Sequence, residues 1–232
     1  LGSLIAKTLG AEGASVVVHY NSASSKASAD ETVAAIQGGG FEAIAVQGDL
    51  TRVAEIEKLF DETVRRLGRL DIAVNAVGKV LKRPIVETTE AEYDEMFAVN
   101  TKAAYFFMRE AAKRMNDGGK IVNIATSLLA AFTGMYSVYA GAKSPLEHFA
   151  RAAAKELGPR GISVNNVAPG PLDTSFFYAA ETPESVAYLK AASMNGKLGD
   201  IGDIAPIVKF LVTEGWWING QTIFANGGFT AR

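Results

Sequence analysis

Short runs of apolar and β-branched residues alternate along this chain with longer stretches in which apolar residues recur at helical spacing. A strand covered on both faces gives a short continuous apolar run, whereas a helix packed on a sheet is apolar along one side. The short runs predict six strands, at 15–19, 43–46, 70–74, 120–124, 162–167 and 221–225. The amphipathic stretches predict six helices, at 2–12, 25–37, 53–67, 90–115, 137–157 and 204–213.

This alternation of strand and helix predicts an α/β fold, with a doubly wound parallel sheet flanked by helices on both faces. No repeat or low-complexity linker interrupts the alternation, so we expect a single domain over residues 1–232. Ligands of such sheets bind beyond the carboxyl ends of the strands. Polar residues at those ends are therefore the first candidates for function.

Composition narrows the function classes. The chain has 232 residues, of which 48% are hydrophobic, and 23 basic residues against 25 acidic ones. Without a basic block we expect no nucleic-acid partner. No apolar run approaches the ~20 residues of a membrane helix, so we expect no membrane association and a cytoplasmic location. Zero cysteines and two scattered histidines argue against thiolate catalysis and against a metal site.

Tyr139 and Lys143 are the strongest indication of chemistry. Residues four apart share one face of a helix, so the Lys143 ammonium can approach the Tyr139 phenol. We expect this cation to lower the pKa of Tyr139 from its ordinary value near ~10. The phenol would then serve as a general acid or base. Alone, the spacing is equally compatible with an ordinary amphipathic helix.

Polar and glycine residues follow four of the predicted strands. Each group could be an ordinary turn, because these residue types dominate turns. The groups are Tyr20-Asn21-Ser22, Asp49-Leu50-Thr51, Asn75-Ala76-Val77-Gly78 and Thr126-Ser127.

Together with Tyr139 and Lys143, these strand ends resemble the short-chain dehydrogenase/reductase family over nearly the whole chain, including its 3-oxoacyl-ACP reductase and fungal polyhydroxynaphthalene reductase members. The resemblance implies a Rossmann-like fold and an oxidoreductase that interconverts a small-molecule carbonyl and alcohol by hydride transfer. It implies that Tyr139 is the acid/base, that Lys143 holds the cofactor ribose, and that Asn100 completes a proton relay.

The same resemblance implies the cofactor contacts. Asp49 and Leu50 match an adenine contact, and Asn75, Ala76 and Gly78 match the strand end that lies under the cofactor, with Ala76 where the family has a second Asn. Gly2 matches the last glycine of the family's glycine-rich turn. Three further matches, around the nicotinamide, are Pro169, Gly170 and Thr174.

The catalytic hydroxyl departs from the family pattern. A serine is usual thirteen positions before the tyrosine, and that position is Thr126, with Ser127 one residue later. Adjacent strand residues point to opposite faces, so only one of the two is expected to face the substrate. We favour Thr126, whose hydroxyl can donate the same hydrogen bond.

Cofactor choice depends on the end of the first predicted strand. NAD-dependent members carry an Asp there, whereas this chain has Tyr20-Asn21-Ser22 and no acid until Asp30. Ser22 and Lys26 could receive a 2'-phosphate. We therefore expect NADP(H) to be preferred, with NAD(H) possible. Alternatively, Lys26 is only a solvated helix residue.

Three further expectations follow from the resemblance. The family opens with a strand and a glycine-rich turn, of which Leu1-Gly2 matches the last part, so we expect the natural chain to extend upstream. Residues 175–198 are expected to form a substrate lid, and the protein to be a homo-oligomer, either a dimer or a tetramer. The rival classes are a dinucleotide-binding regulator without turnover and an epimerase or dehydratase that uses the same cofactor.

Overall fold

The computed structural model describes residues 1–231 and contains ten α-helices and six β-strands within that range. The strands are β1 (Val16–Tyr20), β2 (Ala43–Gln47), β3 (Ile72–Asn75), β4 (Lys120–Ile124), β5 (Ser163–Pro169) and β6 (Thr222–Ala225). The helices are α1 (Gly2–Ala11), α2 (Lys26–Gly38), α3 (Val53–Leu67), α4 (Glu90–Phe97), α5 (Ala103–Arg114), α6 (Ser137–Lys143), α7 (Pro145–Leu157), α8 (Ser175–Tyr178), α9 (Pro183–Ala192) and α10 (Ile201–Thr213).

All strand pairs are parallel, which confirms the predicted fold class. β1 pairs with β2, and a second sheet has the order β3-β4-β5-β6. The six predicted strands are all present, with ends that differ by two residues at most. Because the strands run in one direction, their carboxyl ends meet at one edge, where the candidate residues were expected.

Helices cover both faces of the larger sheet. Ile121 and Val122 are neighbours on β4, and they belong to two different apolar clusters, as alternation along a strand requires. Ile121 packs with residues of α3, α5 and α7, whereas Val122 packs with residues of α1 and α10. The doubly wound layering therefore follows from the alternate placement of apolar side chains on the central strands.

The predicted helix 90–115 is wrong as a single α-helix. The chain forms α4 and α5, joined by a π-helical turn at Ala98–Lys102. The buried side chain of Asn100 donates from Nδ2 to the Met96 carbonyl oxygen at 3.1 Å, which an α-helix would reserve for the backbone N–H of Asn100. This competition accounts for the wider turn.

The predicted helix 137–157 is also divided, at Ser144. Pro145 has no backbone N–H, so the carbonyl oxygen of Gly141 loses its helical donor. The Ser144 hydroxyl donates to that oxygen instead, at 2.8 Å. Three further differences are that α10 begins earlier than predicted, at Ile201 after an Asp200 cap, and that α8 and α9 were not predicted.

Candidate active site

A cleft of about 1410 Å³ separates β1 from β3 along their whole length, and at its carboxyl edge it includes the turns that follow these strands. Its wall includes most of the cofactor residues predicted from the first half of the chain, namely Gly2, Tyr20, Asn21, Asp49, Leu50, Asn75, Ala76 and Gly78. Gly2 begins α1 directly against Ala76, since a Cβ at Gly2 would lie 3.5 Å from the Ala76 Cβ. The topology thus brings four separate turns to one groove.

Asp49 and Asn75 shape two of these turns with their own side chains. Asp49 Oδ1 accepts from the backbone N–H of Thr51 at 3.0 Å and from its hydroxyl at 2.7 Å. These hydrogen bonds lower the pKa of Asp49, so its carboxylate stays ionised and able to accept. Asn75 Oδ1 accepts from the Val77 N–H at 3.1 Å in the same manner. The N-cap of α3 is Arg52, so Asp49 does not fill that position.

Lys143 reaches the same edge from α6. Its Nζ donates to the Ile124 carbonyl oxygen at 2.9 Å and to that of Val77 at 3.4 Å. A Cβ at Gly78 would lie 3.0 Å from this Nζ, so a side chain there would crowd the lysine where it approaches the loop. The residue is 4% exposed, and burial lowers the pKa of Lys143 to about 8.

Asn100 lies on the other side of Gly78. Its Nδ2 donates to the Lys79 carbonyl oxygen at 2.9 Å, and its Oδ1 accepts from the Lys79 N–H at 3.2 Å. A Cβ at Gly78 would lie 3.1 Å from that Oδ1. Asn100 and Lys143 therefore hold one loop between them, and the π-helical turn provides the room for Asn100 to do so.

Tyr139 and Thr126 form the second half of the site. Tyr139 is 5% exposed, and burial raises its pKa to about 12, an effect that a hydrogen bond with the Thr126 hydroxyl partly offsets. The expectation that Lys143 lowers the pKa of Tyr139 is therefore wrong. The physical reason is that the Lys143 amine bonds backbone carbonyl oxygens, while burial disfavours the charged phenolate.

Ser127 points away from this pair. Its buried hydroxyl donates to the Ala168 carbonyl oxygen on β5 at 3.0 Å. Thr126 Oγ1 accepts from the Leu128 N–H at 3.3 Å and also bonds Tyr139. The two adjacent hydroxyls thus have different partners. Strand alternation is not the reason, because β4 ends at Ile124 and Ser127 begins a short 3-10 turn that Thr126 caps.

The predicted nicotinamide contacts lie at the end of β5 and just after it, outside the wall of the large cavity. Pro169 pairs with Ala225 at the end of the sheet. A Cβ at Gly170 would lie 2.9 Å from the Asn226 Cα, so only glycine permits this close approach. Thr174 caps α8, accepting at Oγ1 from the Phe177 N–H at 3.3 Å.

Ser22 and Lys26 also lie outside that wall. Ser22 Oγ hydrogen-bonds Ser24 Oγ at 2.8 Å, and Lys26 forms an exposed ion pair with Asp30 at 2.5 Å. Their predicted contact with a 2'-phosphate therefore stays a prediction.

Residues 175–198 contain α8 and α9, and both ends of this segment are joined. Leu172 and Gly199 form a parallel bridge, in which the Asp173 N–H donates to the Gly199 carbonyl oxygen at 2.8 Å. Four large apolar side chains of the segment are exposed, namely Phe176, Tyr178, Tyr188 and Met194. Sequence reasoning missed Glu181, whose carboxylate is buried and which no local spacing would single out.

Comparison with known proteins identifies the family. A family model described as enoyl-(acyl carrier protein) reductase matches residues 1–230. The short chain dehydrogenase/reductase nsrJ of Aspergillus novofumigatus is 39% identical over 98% of this chain and 90% of its own length. The chain belongs to the short-chain dehydrogenase/reductase family. It is accordingly an oxidoreductase, as the sequence resemblance implied.

Two other members extend the comparison. The hydroxynaphthalene reductase-like protein Arp2 of Metarhizium brunneum is 36% identical, over 98% of this chain and 90% of its own. A protein from Burkholderia cenocepacia, described as a dehydrogenase and solved with bound NADP, is 55% identical with a TM-score of 0.97. That alignment covers 100% of this short-chain dehydrogenase/reductase and 89% of the Burkholderia chain.

Residues 1–231 lack two features. No helix there is both long and apolar enough to cross a membrane. The same residues contain no group of three or more His, Cys, Asp or Glu side chains placed to hold a metal ion.

Proposed function

We propose that this oxidoreductase uses NADP(H) and interconverts a carbonyl and an alcohol, with Tyr139 as the general acid and base. The observation that carries the proposal is the buried pair of Tyr139 and Thr126 hydroxyls beside Lys143 and Asn100, at the carboxyl edge of the sheet. A phenol and a second hydroxyl that share a hydrogen bond can act on one substrate oxygen.

The residues of the groove fit a nicotinamide dinucleotide. Gly78 has no side chain, which leaves room for a ligand beside the loop. A Cβ at this position would lie 3.0 Å from Lys143 Nζ and 3.1 Å from Asn100 Oδ1. Ionised Asp49 would accept from the adenine amine, and α1 would direct its N-terminal amides, beginning at Gly2, toward the pyrophosphate. Lys143 would hold the nicotinamide ribose. When bound, the cofactor supplies or accepts the hydride.

The chain's own residues then move the proton. Because burial raises the pKa of Tyr139 to about 12, the phenol is protonated at neutral pH and can donate to a carbonyl oxygen as the oxygen gains charge. Thr126 donates a hydrogen bond to the same oxygen. The Thr126 hydroxyl also bonds the phenolate that remains. Asn100, which holds the adjoining loop, helps to return the proton from solvent. In the alcohol-to-carbonyl direction the same phenolate accepts the proton.

Two observations support NADP(H) over NAD(H). The turn after β1 carries no carboxylate between Tyr20 and Lys26 to bind ribose hydroxyls and to repel a phosphate. The Burkholderia protein, 55% identical, was solved with NADP. We propose that Tyr20, Asn21, Ser22 and Lys26 surround the 2'-phosphate.

We further propose that residues 175–198 are the substrate lid. The segment follows Pro169, Gly170 and Thr174, which we propose contact the nicotinamide, and its exposed Phe176 and Tyr178 offer apolar surface for a substrate. The naphthol-type relative makes cyclic aromatic ketones the first substrates to test.

Homo-oligomerisation is the remaining part of the proposal. Tyr105 on α5 is 48% exposed, and its ring meets that of Phe149 on α7 at 5.0 Å. Exposed aromatic surface of this kind suits contact with a second copy. Light scattering should give the mass of a dimer or a tetramer, and a monomer at micromolar concentration would contradict this part.

The test of the function is an assay of NADPH and NADH consumption, measured as the loss of nicotinamide absorbance. The substrates to be tested are aryl ketones, diketones, quinones and 3-oxoacyl thioesters. We expect turnover of at least one class, with a higher kcat/KM for NADPH than for NADH. A protein that binds NADPH tightly without turning over any class would instead be the dinucleotide-binding regulator. Interconversion without net consumption of cofactor would indicate the epimerase or dehydratase.

A further inference from the structure

Glu181 lies between α8 and α9 and forms the most buried ion pair between residues 175–198 and the remainder of the site. Its side chain is 3% exposed, and Oε2 accepts from Lys82 Nζ at 2.5 Å. The same carboxylate accepts from the Tyr136 hydroxyl, and from the Ser185 hydroxyl at 2.5 Å. A carboxylate this well enclosed is stable only because it has three donors.

The two distant donors of Glu181 come from the loops that border the reacting groups. Lys82 belongs to the loop that continues from Gly78, and Tyr136 immediately precedes α6, which carries Tyr139. The rings of Tyr136 and Tyr139 are 6.5 Å apart, and Lys82 Nζ lies 5.5 Å from the centre of the Tyr136 ring. One carboxylate therefore contacts both of these loops.

The backbone around Tyr136 is itself held in an unusual conformation. Met135 has a φ of 67°, in the left-handed region that non-glycine residues rarely adopt. Its carbonyl oxygen accepts from the Arg83 N–H at 2.7 Å, which joins the two loops next to Lys82 and Tyr136. Such local strain persists only where surrounding contacts determine it, and it is concentrated at functional sites.

We propose that Glu181 is a positioning residue that holds segment 175–198 closed over Tyr139 by binding Lys82 and Tyr136 together. The expected change in KM rests on the proposed carbonyl reduction. The expected closure of the segment rests on geometry alone. Lys82, Tyr136, Glu181 and Ser185 form what we name the lid latch. Breaking the contacts of the lid latch opens the segment and exposes the substrate site to solvent. The contacts of Tyr139, Thr126 and Lys143 remain intact.

The kinetic test is Glu181→Gln, which keeps the shape and removes the charge. We expect KM for the carbonyl substrate to rise roughly tenfold, the loss of a hydrogen bond to a charged group, while kcat and the Kd for NADPH change less than about threefold. Glu184→Gln is the matched control, since Glu184 is exposed three residues later in the same segment. Its KM should equal that of the native enzyme.

The structural test does not depend on turnover. Hydrogen–deuterium exchange of the full chain with NADPH should become faster in residues 175–198 of Glu181→Gln and of Tyr136→Phe, and should stay unchanged in β4 and α6. Tyr136→Phe removes one hydroxyl only. If Glu181→Gln does not fold, the exchange rate of residues 175–198 in Tyr136→Phe tests the latch in its place. Adding Lys82→Met to Glu181→Gln should raise KM no further, since both act through one contact.

Unchanged exchange in residues 175–198 with unchanged KM would overturn the latch. So would a fall in kcat that matches the loss of kcat/KM, because this would place Glu181 among the reacting groups. If no carbonyl compound is turned over, the proposed function fails, while the exchange measurement still decides whether the latch exists.

Discussion

Tyr139, Lys143 and Asn100 are each 5% exposed or less, whereas no residue between 175 and 198 is buried overall, although the Glu181 side chain is enclosed. In the first group, Lys143 and Asn100 are held by backbone groups of β4 and of the loop after Gly78. The second depends on side-chain contacts with distant loops. In the function that we propose, chemistry is built on rigid elements, and substrate selection belongs to a segment with exposed side chains.

The largest effect should come from the reacting phenol. In Tyr139→Phe we expect kcat to fall by about 10²–10⁴-fold, the usual contribution of a positioned acid or base, with the Kd for NADPH retained. Stopped-flow turnover and nucleotide fluorescence titration measure the two quantities. The control Tyr105→Phe removes a phenol from the exposed face of α5 and should leave kcat unchanged. Equal activity of the Tyr139 and Tyr105 variants would remove Tyr139 from the mechanism.

The adjacent hydroxyls should separate chemistry from stability. Thr126→Val should lower kcat by about 10²-fold, in line with the loss of one donor to a developing oxyanion, and Thr126→Ser should restore most of it. Ser127→Ala should keep kcat but leave the Ala168 carbonyl oxygen without its donor. The free energy of unfolding should therefore fall by about 1–3 kcal/mol. Steady-state kinetics and urea denaturation give both values. The reverse pattern would make Ser127 the catalytic hydroxyl.

Lys143 should give the rigid region a pH signature. Because burial lowers its pKa from 10.5 to about 8, the unfolded state binds more protons between those values. Stability from this group is therefore fully present above the unfolded pKa and is lost as the pH falls through about 8. Relative to Lys143→Met, native stability should rise by about 3 kcal/mol at most from pH ~8 to pH ~10.

Urea denaturation of both proteins without added nucleotide measures this difference. The exposed Lys102→Met serves as the control and should follow the native pH dependence. A stability difference between native protein and Lys143→Met that is flat in pH would contradict the burial argument.

The smallest effect is expected at the surface. Lys26 is 57% exposed and already paired with Asp30, so Lys26→Ala should raise KM for NADPH by about two- to fivefold, as exposed charge contacts do. KM for NADH should not change. Lys58→Ala is matched to it, since Lys58 is 71% exposed and is also paired within its helix. An equal rise for both cofactors would show that Lys26 does not sense the 2'-phosphate.

The parts of the fold that depend on local periodicity could be predicted from the sequence. The six strands follow from short apolar runs, and the groove residues Asp49, Asn75 and Gly78 follow from the rule that parallel strands end at one edge. The break at Asn100 could not, because it depends on one side-chain hydrogen bond within an otherwise helical pattern. Periodicity does not report such competition. The break at Ser144 could have been predicted, because Pro145 is visible in the sequence and a proline interrupts a helix at the residue before it.

The electrostatics of the site were harder to predict from the sequence than its fold. The spacing of Tyr139 and Lys143 predicts that they share a helix face, but it does not predict that the amine bonds Ile124 and Val77. Glu181 is 99 residues from Lys82 and 45 from Tyr136. Contacts of that range are set by the packed fold, and no motif in the sequence marks them.

The bridge between Leu172 and Gly199 has a practical consequence. The two ends of segment 175–198 leave the protein at one place, so the distance that a replacement segment must span is fixed and short. The segment is therefore a self-contained cassette, which could be exchanged for that of a relative without disturbing the sheet. A grafted segment that brings no carboxylate for Lys82 and Tyr136 would leave the Lys82 ammonium enclosed and unpaired. The presence of a carboxylate at this position should therefore decide which relatives can supply the segment.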